Sequence, residues 1–182
     1  MKQNFFKKFF IIIFFSFLFN YANSKNILEI KENDIIMGNL DAPVTIIEYA
    51  SLSCSHCASF HNNTLPKIIE EYVNIGKVKF VFRSFPLNYP ALLGSMVIYC
   101  TPKEVQQDYL SALFLLQKQW VNKENAKTTR EIFKIMQSGG MNKENFEACI
   151  TDTALENLIL EGIVEAQNEF ELSTTPSFLI NG

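Results

Sequence analysis

Residues 44–57 read VTIIEYASLSCSHC, an apolar run followed closely by two cysteines three residues apart. The β-branched, nearly continuous apolar character of Val44 to Tyr49 predicts a buried strand. A helix-like run begins near Ala58. Two thiols one helical turn apart can close a small, reversible disulfide, because they face the same side. The stretch therefore predicts an α/β fold that carries thiol–disulfide chemistry.

Cys54 is the expected nucleophile, since it lies at or just before the N-terminus of the predicted helix. The unpaired N–H groups and the dipole there stabilise a thiolate, which can lower a thiol pKa from about 8.5 to between about 3.5 and 7.5. His56, between the cysteines, can add positive charge. Stabilising the thiolate stabilises the reduced pair with Cys57, so the disulfide becomes a stronger oxidant. We therefore expect the oxidised protein to donate its disulfide to reduced substrates.

A metal site is the alternative interpretation of the same residues. Cys54, Cys57 and His61 follow a Cys-x2-Cys-x3-His spacing that zinc accepts, and His56 offers another nitrogen. A structural zinc site needs a fourth ligand, however, and the sequence holds no second Cys-x2-Cys and no His-x3-His. We therefore expect redox chemistry with no metal and no cofactor, and His61 by itself predicts no role.

Two further positions are candidate parts of an active site around the cysteines. Glu48 lies inside the apolar strand; it either faces solvent at the strand end or lies beneath Cys57 and accepts its proton. Thr175-Pro176 precedes a last predicted strand, Ser177 to Ile180. It is either an ordinary turn or a cis-proline loop whose backbone pairs with extended substrates. The loop reaches the cysteines only if its strand runs antiparallel to the first.

The remaining elements predict a strand–helix–strand unit followed by a long helical segment. Ile27 to Met37 is an extended segment with a short strand, the helix after the cysteines runs to about Asn74, and Lys77 to Phe85 alternates as a second strand. Pro66 should kink the first helix. Further helices are expected at Pro90 to Cys100, Lys103 to Trp120, Thr128 or Thr129 to Gly139-Gly140, from Asn142, and after an Asp152 cap.

The N-terminus predicts export. It combines a basic start, an apolar run and small residues at a cleavage position: Lys2, Lys7, Lys8, Phe9 to Phe19 and Ala22-Asn23-Ser24. We expect a signal peptide cleaved after Ser24, with an uncleaved membrane anchor as the alternative. Residues 25–182 then form one domain. Losing the signal lysines makes the formal net charge of −3 more negative, which argues against a nucleic-acid partner.

Export also guides the interpretation of the other two cysteines, because disulfides persist outside the cytoplasm. Cys100 and Cys149 bracket a long loop. Paired, they would be structural and would restrict the unfolded chain by roughly 4 kcal/mol. Two buried free thiols and a resolving pair are the alternatives.

The chain resembles the DsbA-like thiol–disulfide oxidoreductases, thioredoxin-fold proteins with an inserted helical domain, in the bacterial branch that has a second cysteine pair. The resemblance is carried by the strand Val44 to Tyr49, the motif Cys54-Ser55-His56-Cys57, the strand Lys79 to Arg83 and the stretch Thr174 to Phe178. It implies a thioredoxin-like part over about residues 38–86 and 173–182, with a helical insertion over about 87–172.

The resemblance also implies roles. Cys54 is the attacking thiol, Cys57 its buried partner, Glu48 the buried acid, Thr175-Pro176 the cis-proline substrate loop, and Cys100–Cys149 a structural disulfide. The implied function is to introduce disulfides into secreted or periplasmic proteins, with reoxidation by an inner-membrane, quinone-linked partner. A disulfide isomerase or reductase of the same fold, or a non-catalytic metal-binding module, is the alternative function.

Two departures from the family pattern stand out. Ser55-His56 replaces the Pro-His of the best-known members, which leaves the size of the oxidising potential open. The chain stops at Asn181-Gly182, before the antiparallel strand and the helix that complete a thioredoxin fold. We therefore expect a truncated product with impaired activity.

Overall fold

The computed structural model describes residues 29–182, and the predicted targeting segment lies outside that range. Within it one sheet has the strand order β1-β3-β2-β4. Its strands are β1 Ile35–Met37, β2 Val44–Ala50, β3 Val78–Ser84 and β4 Ser177–Ile180. The central pair, β2 and β3, is parallel, whereas β1 and β4 run antiparallel to their neighbours. The predicted parallel pair is therefore confirmed.

Eight helices accompany the sheet in this part of the chain. They are α1 Ser55–Asn63, α2 Leu65–Ile68, α3 Tyr89–Tyr99, α4 Lys103–Leu115, α5 Gln117–Trp120, α6 Asn125–Ser138, α7 Lys143–Ile150 and α8 Thr153–Phe170. Helices α3 to α8 lie between β3 and β4 in the chain, which confirms the predicted α/β fold with an inserted helical region. None of these helices is long and apolar enough to cross a membrane.

The first helix is broken where one kinked helix was predicted. It begins at Ser55, ends at Asn63 and restarts at Leu65. Pro66 lies in the first turn of α2, where its missing N–H group leaves no intrahelical bond unmade. A π-helical turn, Ile69–Val73, then completes the segment. The proline therefore opens a new helix instead of bending a continuous one.

The helix predicted over Lys103 to Trp120 is also two helices. The break falls at Leu116, with φ −95° and ψ 12°. Beyond it, the Trp120 indole N–H donates to the Leu113 carbonyl at 2.7 Å, and the Gln117 side chain turns toward the sheet. Side-chain hydrogen bonds to backbone carbonyls thus accompany the interruption of a continuous apolar pattern.

Helix α6 begins at Asn125, earlier than the predicted Thr128 or Thr129. Thr128 is fully buried, and its hydroxyl exchanges hydrogen bonds with the backbone of Asn122. It therefore fixes the preceding loop instead of capping the helix. The predicted Asp152 cap is confirmed, since its carboxylate accepts the N–H groups of Ala154 and Leu155 at 3.0 Å.

Helices pack against both faces of the sheet. On one face, Ala50, Phe80 and Phe82 share a core cluster with Cys57 of α1 and Phe114 of α4. On the other face, the core is built around residues of β2, β3, the position just after β3, and α8: Ile47, Tyr49, Val81, Phe85 and Ala166. Because α1 follows β2 directly, the cysteine motif lies at the carboxyl end of a central strand.

Candidate active site

Cys54 occupies the position immediately before α1. Its backbone is extended, with φ −79° and ψ 122°, and its carbonyl accepts the N–H of Ala58 at 3.0 Å. The Cys54 N–H donates to Ser51 at 3.0 Å, which tightens the loop after β2. The thiol is only partly buried, and neither Cys54 nor Cys57 is in a disulfide in this structure. A partly exposed sulfur at a helix N-terminus is accessible to another thiol.

The surroundings of Cys54 favour its thiolate. Burial on its own would raise the pKa of Cys54, but the Thr175 side chain, the Cys57 thiol and two backbone N–H groups lower the pKa by more, so that it lies below the ordinary value. The two N–H groups are those of His56 and Cys57, in the first turn of α1. Such groups have no partner within the helix and are available to an anion.

His56 takes part through its backbone. Its N–H is one of the groups that lower the pKa of Cys54, whereas its side chain is exposed. The sequence predicted a contribution from the imidazole charge. That contribution stays a prediction, and the structure adds the peptide N–H at this position, which any residue except proline could supply.

Cys57 has the opposite environment. It is fully buried, and burial raises the pKa of its thiol to about 12. It therefore stays protonated at neutral pH, while Cys54 ionises more readily than an ordinary thiol. Two cysteines three residues apart are thus divided into an accessible nucleophile and a buried partner.

The start of β4 comes back to the cysteines because β4 runs antiparallel to β2. The Thr175-Pro176 peptide is cis, and the Cys54 thiol donates to the Thr175 carbonyl at 3.4 Å. The Thr175 hydroxyl is buried and has no hydrogen-bond partner of normal geometry among residues 29–182, so it can turn toward a Cys54 thiolate. The proline loop therefore lies beside Cys54. The sequence made this depend on an antiparallel direction of the last strand, and β4 does run antiparallel to β2.

Glu48 does not face solvent. Its side chain is completely buried, which rules out the interpretation of an exposed strand end. Within the sheet it lies between Phe82 and Phe178. Its Oε2 is 2.7 Å from His61 Nε2, and its Oε1 is buried without a hydrogen-bond partner in the described part of the chain. Glu48 is therefore a buried acid whose Oε2 is hydrogen-bonded to His61 and whose Oε1 has no hydrogen-bond partner among residues 29–182.

His61 is the functional candidate that the sequence did not predict. It is buried, pairs with Glu48, and stacks on the Phe114 ring with 4.0 Å between centroids. Its position four residues after Cys57 is the only sequence signal, since that spacing puts both on one face of a helix. Residues 29–182 hold no group of three or more His, Cys, Asp or Glu side chains placed to bind a metal ion.

Gln117, at the start of α5, also contacts the site. Its side-chain N–H2 group donates to the carbonyl oxygens of Leu52 at 2.8 Å and Cys54 at 2.9 Å. The insertion therefore holds the loop that presents Cys54. No local pattern could reveal this contact, because the partners are more than 60 residues apart.

Cys100 and Cys149 form a disulfide with a Cα–Cα distance of 5.9 Å. It joins Cys100, the residue immediately after α3, to Cys149 in α7. Both ends lie within the helical insertion, so the bond belongs to that part of the fold and not to the cysteine motif.

Comparison with known proteins agrees with this geometry. Residues 30–182 match the sequence model of the family described as Thioredoxin. A protein-disulfide oxidoreductase of Rickettsia bellii is 27% identical over 154 residues, which cover 85% of this chain and 59% of that protein. Disulfide bond formation protein D of Bacillus subtilis is 23% identical over 158 residues, or 80% of this chain and 67% of that protein.

Among solved structures, alpha-DsbA1 of Wolbachia pipientis superposes with a TM-score of 0.80 and 33% sequence identity. The match covers 87% of this chain and 79% of that one. The chain spans a little over half the length of the Rickettsia relatives that it matches.

Proposed function

Because the chain belongs to the thioredoxin family, and within it to the DsbA-like proteins, we propose that it is a thiol–disulfide oxidoreductase that introduces disulfides into exported proteins. The observation that carries the proposal is the contrast within the motif. Cys54 is accessible and its pKa is lowered, whereas Cys57 is buried and its pKa is raised. Catalysis of disulfide exchange needs one thiol that attacks and leaves easily, and a second thiol that stays protonated until it forms the disulfide with the first.

The proposed reaction starts from the Cys54–Cys57 disulfide. A substrate thiolate attacks the Cys54 sulfur, the bond between the two cysteine sulfurs breaks, and Cys57 leaves and takes up a proton. A second substrate thiolate then attacks the substrate sulfur of this mixed disulfide and releases Cys54 as a thiolate. Two substrate thiols are oxidised to one disulfide, and the protein disulfide is reduced to two thiols.

The direction of exchange follows from Cys54. A thiol with a lowered pKa is a better leaving group, and its stabilised thiolate favours the reduced protein. Both effects support disulfide donation over the reductase or isomerase role that the same fold can serve. The Thr175 carbonyl, beside the Cys54 sulfur, supports a proline loop that pairs with an extended substrate segment.

The cellular setting is proposed from the sequence. The basic, apolar and small-residue pattern of residues 1–24 supports export to the periplasm, where the substrates would be reduced exported proteins. Each turnover leaves two electrons on the Cys54–Cys57 pair, and we assign their removal to an inner-membrane, quinone-linked partner. A fusion of residues 1–28 to alkaline phosphatase, which is active only outside the cytoplasm, tests the export step.

The activity is tested by mixing the oxidised full chain with reduced, unfolded ribonuclease and counting the substrate thiols that remain. We expect the number of free substrate thiols to fall with the unchanged chain and to stay constant with Cys54→Ser. Ser59→Ala, on the exposed side of α1, is the control and should behave as the unchanged chain. Substrate thiols that persist with the unchanged chain, or that disappear equally with Cys54→Ser, would contradict the proposal.

A further inference from the structure

A buried acid–imidazole pair lies between α1 and the sheet. The side chain of Glu48 is 0% exposed and that of His61 is 3% exposed, with 2.7 Å between Oε2 and Nε2. A buried polar atom without a partner is costly, yet Glu48 Oε1 has none within residues 29–182. The carboxylate is therefore fixed at one oxygen and left available at the other.

His61 is held in place by aromatic rings. It stacks on Phe114 with centroids 4.0 Å apart and an interplanar angle of 25°, and it meets Phe82 edge-on at 5.9 Å. The side chains that contact it are Glu48 from β2, Phe82 from β3, Phe114 from α4, and Phe60 from its own helix. Of these only Glu48 carries an ionisable group, so the imidazole is tied to a single carboxylate.

Cys57 shares this buried space. Residues four apart on a helix have Cβ atoms about 5–6 Å apart, so Cys57 and His61 lie on the same face of α1. Cys57 belongs to the core cluster that contains Ala50. Glu48 and Ala50, two residues apart in β2, point to the same side of the sheet. The thiol, the imidazole and the carboxylate therefore lie together between one helix face and one strand.

Cys57 needs a proton partner, because a thiol with a pKa of about 12 does not ionise by itself at neutral pH. We propose that His61 is a positioning residue, which holds Glu48 so that its free oxygen gives and takes the proton of Cys57 during disulfide exchange. The inference rests on the proposed function, since it concerns the second thiol of the same pair. Its new element is His61, which acts through the carboxylate.

The proton and electron pairs balance in both directions. When Cys54 is attacked, the Cys57 sulfur leaves with the electrons of the broken S–S bond and receives a proton from the Glu48 carboxyl group. In reverse, the Cys57 thiol gives its proton to Glu48, its sulfur attacks Cys54 in a mixed disulfide, and the outside thiolate leaves. His61 keeps its hydrogen bond to Oε2 throughout.

The test separates the two thiols in time. The reduced full chain is mixed with dithiobis-nitrobenzoate, whose released thiolate is coloured. Attack by Cys54 releases the first thiolate at a rate proportional to reagent concentration. Attack by Cys57 on the resulting mixed disulfide releases the second at a rate that does not depend on the reagent.

We expect His61→Phe to leave the first phase unchanged and to slow the second by about tenfold or more at neutral pH. The second phase should then rise steeply with pH, because an unassisted thiol must ionise by itself. His61→Gln, which keeps an N–H donor, should restore most of the rate. Asn63→Ala, on the exposed side of α1, should change neither phase.

A second phase with the rate and pH profile of the unchanged chain in His61→Phe would overturn the inference. His61→Leu, which is smaller and equally apolar, replaces His61→Phe if the latter does not fold, with the same two outcomes. Absence of the first phase in the unchanged chain would instead contradict the proposed function, so the two failures are distinguishable.

Discussion

At the scale of single residues, Cys54 and Cys57 carry the same thiol in opposite surroundings. Burial raises the pKa of both, and the Thr175 side chain lowers the pKa of both. At Cys54 the first N–H groups of α1 and the Cys57 thiol act in addition, and together they bring its pKa below the ordinary value. Cys57 faces the core, and its pKa is raised to about 12. The difference in reactivity therefore comes from position in the fold and not from residue type.

Thr175→Val should raise the pKa of Cys54. A hydrogen bond to a charged group contributes about 1.5–3 kcal/mol, so loss of the hydroxyl should move the thiolate titration upward by about one pH unit. The ultraviolet absorbance of the thiolate as a function of pH measures this. Thr174→Val, at the exposed neighbouring position, is the matched control. An unchanged midpoint in Thr175→Val would show that the hydroxyl does not contact the thiolate.

Some residues of the candidate site could be predicted from the sequence and others could not, for physical reasons. Cys54 and Cys57 are recognisable because disulfide chemistry requires local spacing. The Glu48–His61 pair depends on how α1 lies over β2, and Gln117 reaches the Cys54 carbonyl across 63 positions of the chain. The approach of Thr175 depends on the direction of β4, which a four-residue strand does not reveal locally.

At the scale of elements, α5 supports α1. Gln117 donates to two carbonyls of the loop between β2 and α1, and Trp120 of the same short helix is fully buried. The break at Leu116 therefore begins a short helix that both packs in the core, through Trp120, and holds the loop of Cys54, through Gln117. Apolar periodicity alone could not predict this break, because it continues across both helices.

Gln117→Ala should loosen the loop that presents Cys54. Two carbonyls would lose their donor, and a buried polar group left unsatisfied costs about 1–3 kcal/mol. We expect a lower free energy of unfolding in urea and faster amide hydrogen exchange at the start of α1. Gln119→Ala, at an exposed position in the same helix, should show neither change. Equal stability of the two variants would be inconsistent with a supporting role for Gln117.

At the scale of the whole molecule, the helical insertion contacts α1 of the thioredoxin-like part near the active site. Phe114 stacks on His61, and its carbonyl accepts the Asn62 side chain at 3.3 Å. The Cys100–Cys149 disulfide fixes the insertion elsewhere, within its own helices. We therefore expect loss of the Cys100–Cys149 bond to affect the stability of the fold more than the redox chemistry of Cys54 and Cys57.

Replacing Cys100 and Cys149 together by alanine should lower the free energy of unfolding without removing disulfide donation. The pair is separated by 49 residues, for which the chain-entropy model gives about 4 kcal/mol. Urea unfolding measures the loss, and thiol loss from reduced ribonuclease measures the activity. Inactivity of this variant while it is still folded would assign the second pair a redox role.

The stability of the reduced protein should depend on pH through Cys54. Its pKa in the folded state lies below the unfolded value of about 8.5, so its contribution is fully present above pH 8.5 and is lost as the pH falls through the folded pKa. The free energy of unfolding of the reduced chain, minus that of reduced Cys54→Ser, should therefore grow with pH over this window. Cys57 is present in both proteins, so the effect of its burial, which is the largest cause of its raised pKa, cancels. A difference that does not vary with pH would contradict a stabilised thiolate.

The redox equilibrium of the Cys54–Cys57 pair with glutathione tests the proposed direction of electron flow most directly. Thiolate stabilisation at Cys54 predicts an oxidising pair, with a reduction potential less negative than about −180 mV. Millimolar reduced glutathione should then reduce the disulfide almost completely. A potential near −270 mV, the value of a reducing thioredoxin, would contradict the account, because the pair would then take up electrons less readily than glutathione.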